Sequence, residues 1–208
     1  GNKLKQLTEK YNIEFGTRMI TNGSLLSIEK TNKLISECNL KLLQITLDGL
    51  ESVYLEKKQT TKESFKKVIN NIIDLCDKVR IKVRINADKC NYNELVKLSH
   101  FLLVEKKLKN KIDLYFAEIK NYNKDDGTDY YTIEEGARAR FKFYNDLYKQ
   151  DLIKKRYVAP ISFDPLFCGF KSKNNIVIGP DGNIYKCQHY IDDQSEVVGN
   201  IRSEVIND

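Results

Sequence analysis

The chain has 208 residues, with 35 Lys and Arg against 29 Asp and Glu for a net charge of +6. That length suits one domain, or one with a small appendage, and can bury a core without crosslinks. The charges are scattered with no basic stripe, no apolar run could span a membrane, and the start Gly1-Asn2-Lys3-Leu4 is no signal peptide, so nucleic-acid, membrane and secreted classes are set aside and a cytoplasmic globular protein is expected.

A polar helix is expected over 3–11, then a strand over 13–21 closed by Asn22-Gly23, and a helix over 27–37. A strand over 42–48 stops at Gly49. The positions of Phe65, Val68, Ile69, Ile72, Ile73 and Cys76 predict an amphipathic helix over 64–78. A strand follows over 79–88, a helix over 92–106, a strand over 112–119, a polar loop over 121–129 and a helix over 132–152. Strands alternating with helices predict βα units and a parallel sheet. After Pro160 the pattern changes. Asn175-Ile176-Val177-Ile178, then Gly179-Pro180-Asp181-Gly182, then Asn183-Ile184-Tyr185-Lys186-Cys187 reads as a β-hairpin in which Ile178 faces about Asn183 and Cys187 about Asn174. The expected division is an α/β body over 1–157 and a small β appendage over 158–208.

Two strands carry the functional signal. Parallel strands covered on both faces should be apolar on both. Here Gln44, Thr46 and Asp48 share one face and Leu43, Ile45 and Leu47 the other. Likewise Lys82, Arg84, Asn86 and Asp88 oppose Ile81, Val83, Ile85 and Ala87. Unpaired polar groups are costly to bury, so a polar lumen or crevice holding a polar ligand or water is expected. The strand ends carry Asn22, Asp48, Asn86 and Asp88, and Glu118, at the rim where βα folds place their ligands. Two plainer readings compete: strand-stop chemistry at Asn22-Gly23 and Asp48-Gly49, and a half-exposed antiparallel sheet.

The five cysteines form no C-x-x-C pair and their number is odd, which argues against a disulfide framework. Cys38 and Cys76 fall on helices as small apolar residues, and Cys90 in a loop. Cys168 and Cys187 both reach one end of the hairpin. Two convergent thiolates are half of a four-ligand iron–sulfur or zinc site. His189 near Cys187 would allow a mixed zinc site; an exposed hairpin histidine is the plainer reading. His100 reads as structural, and Asp125, Asp126 and Asp129 as a solvated loop.

Taken together, Thr21-Asn22-Gly23-Ser24-Leu25-Leu26, Gln44-Ile45-Thr46-Leu47-Asp48-Gly49 and Val83-Arg84-Ile85-Asn86-Ala87-Asp88 resemble three consecutive strands of the radical S-adenosylmethionine enzymes. The nearest group is the sulfatase-maturase and peptide-modifying branch with a SPASM or twitch extension. Cys168, thirteen residues, Gly182, four residues and Cys187 resemble the opening of that extension, as does Gly199-Asn200-Ile201. The resemblance implies a partial (β/α) barrel, S-adenosylmethionine over a [4Fe–4S] cluster, a 5′-deoxyadenosyl radical and a peptide or protein substrate. It implies cofactor-binding roles for Asn22, Thr46, Asp48, Lys58, Arg84 and Asn86, and cluster ligation by Cys168 and Cys187. Lys58 stands where an Arg often sits, keeping the charge but not the bidentate fork.

The departures are definite. The family's C-x(3)-C-x(2)-C triplet is missing, and so is its Gly-Gly-Glu. The expectation is therefore an N-terminally truncated barrel of about four βα units, inactive by itself because the cluster motif is absent. Gln188 stands where maturases have an Asp, so that branch's proton acceptor is not expected. Two alternatives follow: a cluster-less barrel that binds a peptide or partner, with an exposed edge open to homodimerisation, and a metal-free barrel enzyme such as an isomerase. The latter needs an acid/base pair, and Asp48, Asp88 and Glu118 come without a rim His or Lys.

Overall fold

Side chains alternate along a strand, so an apolar/polar alternation gives a sheet two unlike faces. The structure, a computed structural model, describes residues 2–119, 129–154 and 174–203. The chain divides into two compact units, residues 1–158 and 159–208. In the first unit, α1 (Asn2–Lys10) and β1 (Thr17–Thr21) precede α2 (Ile28–Cys38) and β2 (Leu40–Leu47). Then come α3 (Glu51–Lys58), α4 (Lys62–Leu75), β3 (Arg80–Ala87), α5 (Tyr92–His100), β4 (Ile112–Glu118) and α6 (Ile133–Lys149). The four strands form one parallel sheet in the order β1-β2-β3-β4. This is a partial parallel (β/α) barrel of four βα units.

The apolar face carries the core. Leu43, Ile45, Leu47, Ile81, Val83, Ile85 and Phe116 are fully buried. They cluster with Val68, Ile69 and Ile72 of α4, Leu95 and Leu98 of α5, and Phe143 and Leu147 of α6. Burying each such side chain contributes about 1.5–3 kcal/mol. Helix starts follow local chemistry. The hydroxyls of Ser27, Thr61 and Thr132 accept backbone N–H bonds at the first turns of α2, α4 and α6. At α6 the Glu135 carboxylate also accepts from the Thr132 N–H, closing a capping box.

Three elements differ from the sequence expectation. β1 starts at Thr17 rather than residue 13. The preceding residues are tied to the turn after α2 instead: the Asn39 amide donates to the Phe15 carbonyl, and the Thr17 hydroxyl to the Cys38 carbonyl at 2.9 Å. α3 was not foreseen. It is short, no side chain caps it, and it is fixed by tertiary contacts: the Leu50 N–H donates to Glu94 Oε1 at 2.9 Å and Tyr54 is buried. α5 ends at His100 and continues as one π turn, Phe101–Glu105.

The second unit has a small antiparallel sheet of β5 (Val177–Ile178), β6 (Asn183–Tyr185) and β7 (Gly199–Asn200), in that order. Gly182, at φ +88°, takes the left-handed position of the β5–β6 turn. Ile178 pairs with Ile184, one residue beyond the expected partner. β7 falls on the Gly199-Asn200 motif and adds a third strand to the expected hairpin.

The two faces of β2 predict unlike costs. Ile45→Ala should lose about 2–5 kcal/mol, and Gln44→Ala on the other face less than about 1 kcal/mol. Urea denaturation midpoints decide; equal losses would show that both faces are packed.

Candidate functional site

The register lines up the polar face row by row. Ile20 pairs with Gln44, Gln44 with Lys82 and Lys82 with Asp113. One row nearer the carboxyl ends, Thr46 pairs with Arg84 and Arg84 with Tyr115. One row further, Asn86 pairs with Ala117, beside Asp48 just past the end of β2. Thr46, Arg84 and Asn86 are half-buried rather than packed under helices.

Four of the expected residues form one connected network. Arg84 Nε donates to Asn86 Oδ1 at 2.9 Å. Asn86 Nδ2 donates to Asp48 Oδ1 at 2.7 Å. Asp48 Oδ2 takes the Lys58 ammonium at 2.8 Å. Asp48 is 4 % exposed, and these two donors satisfy its buried carboxylate. Gly49 brings the chain into α3 directly after Asp48. A Cβ there would lie 2.7 Å from Val53 Cβ and 3.2 Å from Glu94 Cγ. α3 then delivers Lys58 from its last turn back to Asp48.

Thr46 lies on the same face, and among the described residues its hydroxyl makes no hydrogen bond. Asn22 sits at the end of β1, but its Oδ1 accepts from the Ser24 N–H at 3.1 Å and the Ser24 hydroxyl at 2.9 Å, an Asx turn carried by Gly23 at φ +81°. The turn is pinned by Asn71 Nδ2 donating to the Gly23 carbonyl at 2.8 Å. Tyr115 is a site residue that sequence reading missed. Its ring lies 5.6 Å from Lys82 Nζ and 5.9 Å from Arg84 Cζ. The alternation of β4, Asp113-Leu114-Tyr115-Phe116, was the available signal, and it is weaker than in β2 and β3.

Two rim residues need correction. Asp88 does not continue the polar face of β3. It turns into the following loop, where its Oδ1 accepts the N–H groups of Cys90 and Asn91 at 2.9 Å, with Lys57 Nζ 3.4 Å from Oδ2. It is a turn former leading into α5. Glu118 pairs with Ala87, on the helix-covered side, and holds Arg140 of α6 at 2.5 Å. Odd and even positions of a strand face opposite ways, so polar groups converge from three strands, not four.

Other ionisable groups border this end of the sheet. Burial pushes the Tyr131 phenol up, and Asp88 adds to it. The backbone N–H of Thr132, then Lys89, holds Glu135 below the usual carboxylate range. In the second unit Cys187 is a half-buried free thiol. The strand pairing stops at Val177 and Tyr185, two residues short of Cys187. Cys168 lies outside the described residues, as do Asp125 and Asp126. Among the described residues no three His, Cys, Asp or Glu side chains gather as a metal site.

No protein-family model and no curated protein matches the chain. Solved structures do. Native anSMEcpe with bound AdoMet aligns at a TM-score of 0.62 and 18% identity, over 97% of this chain and 58% of that one. The form with AdoMet and the Kp18Cys peptide aligns at 0.60 and 18%, over 97% and 59%. Streptococcus suis SuiB bound to its precursor peptide SuiA aligns at 0.63 and 14%, over 95% and 48%. At these identities the likeness is one of fold. The chain spans between 48% and 59% of the length of these structures.

The network makes Asp48 its junction. Asp48→Ala should cost about 1–3 kcal/mol, because it strands the Asn86 amide as well as Lys58. Lys58→Met leaves the Asp48 carboxylate, its side chain 5% exposed, with the Asn86 amide alone and should cost a similar amount. A loss below about 0.5 kcal/mol for either variant in chemical denaturation would mean that the network does not hold these segments together.

Proposed function

We propose that these 208 residues belong to a radical S-adenosylmethionine enzyme that modifies a peptide or protein. In this reading the first unit supplies four βα units of its barrel, and the second begins a SPASM or twitch extension. One observation carries it: the connected Arg84–Asn86–Asp48–Lys58 network beside Thr46, on a sheet face that the described helices leave uncovered. The fold shared with structures holding AdoMet, Kp18Cys peptide and SuiA supports it, as do the three strand motifs.

The donor set fits S-adenosylmethionine. Its amino-acid and ribose groups need hydroxyl, cationic and amide partners, and Thr46, Lys58, Arg84 and Asn86 offer them. Bound together with a reduced iron–sulfur cluster, S-adenosylmethionine supplies hydrogen-atom abstraction. The chain's own contribution is orientation. Asp48 directs the Lys58 side chain across the strand ends. Asn86 locks the Arg84 guanidinium by its Nε and leaves its outer N–H groups for a ligand. Thr46 presents a hydroxyl in the row of Arg84.

The cluster itself does not fit the residues present. No cysteine triplet of the required spacing occurs in these 208 residues. Its ligands are assigned to residues outside them, and the chain alone is inactive in this reading. Cys187, with Cys168, would ligate an auxiliary cluster. Free thiols suit a reducing, cytoplasmic setting. Among the described residues β1 is an edge strand of the sheet; further barrel strands would add there, and two isolated copies would exchange strands there.

Three measurements test the proposal. The coding sequence directly upstream of Gly1 should contain C-x(3)-C-x(2)-C and a later Gly-Gly-Glu; an unrelated domain there overturns the assignment. S-adenosylmethionine should bind the chain saturably, with Thr46→Val and Arg84→Met each weakening it about two- to tenfold; equal binding by all three forms places the ligand elsewhere. Cofactor cleavage by the isolated chain under reducing conditions would contradict its inactivity.

A further inference from the structure

The helix-covered side of the first unit holds a second concave feature. A groove of about 760 Å³ runs between α4 and α5. Its floor is apolar, with Phe65 and Phe101 stacked at 6.3 Å and Ile69 beside them. Its walls carry Lys66 from α4 and Lys97 and Lys106 from the α5 side. Of the two carboxylates in the lining, Glu51 lies 3.5 Å from Lys62, and Glu105 lies 3.7 Å from the His100 imidazole at the groove's edge. Among the described residues none of the three lysines has a carboxylate within ion-pair distance, and Lys106 instead sits 4.9 Å over the Phe101 ring.

The α5 wall is formed by the π turn Phe101–Glu105. Such turns widen a helix at a cost in regularity and recur at binding sites. The groove opens at Leu50 and Glu51, where α3 begins, and α3 ends at Lys58 of the polar network.

We infer that this groove docks an acidic amphipathic segment of a polypeptide partner. The partner's apolar residues would pack on the half-buried Phe101, which stacks on the buried Phe65 beneath it, and its carboxylates would meet Lys66, Lys97 and Lys106. An apolar floor between two helices is the surface that an amphipathic helix fills, and the unmatched lysines on both walls select its charge. The same charge argues against a second copy. The exposed apolar residues of α1, Leu4 and Leu7, are flanked by Lys3, Lys5 and Lys10, which would meet the groove's lysines.

The test uses the full 208-residue chain and two fluorescein-labelled amphipathic peptides. Both carry Leu and Phe at helical spacing, one with Glu and one with Lys on its flanks. Fluorescence anisotropy should show the Glu peptide binding, weakening as salt rises, and the Lys peptide not binding. The double reversal Lys66→Glu and Lys97→Glu should weaken the Glu peptide about tenfold or more and admit the Lys peptide. These are exposed side chains, so the fold is retained, which circular dichroism checks. Thr46→Val should leave peptide binding unchanged, so failure here stays separate from failure of the cofactor reading. The inference is overturned if neither peptide binds, if both bind alike, or if charge reversal changes nothing. It is also overturned if Phe101→Glu abolishes a dimer seen by sedimentation, which would make a second copy the occupant.

Discussion

The structure depends on the strict alternation of β2 and β3. Every second residue, from Leu43 to Leu47 and from Ile81 to Ala87, is fully buried under helices. The residues between them cannot follow, because a strand's successive side chains point to opposite faces. Covering one face with α4, α5 and α6 therefore leaves Gln44, Thr46, Lys82, Arg84 and Asn86 on the other. The apolar face supplies the folding free energy, and the polar face is held in place by it.

On that polar face the controlling group is a buried carboxylate. Asp48 loses water on folding and is compensated by one amide and one ammonium. An isolated buried charge would be prohibitive; one with two charge-assisted bonds is tolerable. This ties three separate segments together: the end of β2, the end of α3 and the last turn of β3. Arg84 is held by Asn86 and flanked by the Tyr115 ring, so part of its orientation is inherited from Asp48. A site built this way is preorganised by rigid elements rather than by loops.

α3 joins two otherwise separate regions. Its first residues border the lysine-walled groove and its last residue pairs with Asp48. The Leu50 N–H on Glu94 and the close approach of Gly49 to Val53 hold α3 at its origin.

Much was legible from sequence because it rests on local periodicity. The α/β class, the parallel sheet, the unlike faces of β2 and β3 and the hairpin turn all follow from spacings within a few residues. Alternation placed Thr46, Asp48, Arg84 and Asn86 on the polar faces together with Gln44, Lys82 and Asp88; choosing among them as binding residues took the resemblance. What tertiary structure decided was what lies between elements. α3 has too few apolar positions to announce itself, so its contact with Asp48 through Lys58 could only be placed by analogy. Asp88 and Glu118 look like rim ligands in the sequence, yet one is consumed by a turn and the other by Arg140 on the far face. Tyr115 joined the site because register set it beside Arg84. Periodicity fixes which way a side chain points relative to its own strand. Only the packed fold determines which partner it meets there.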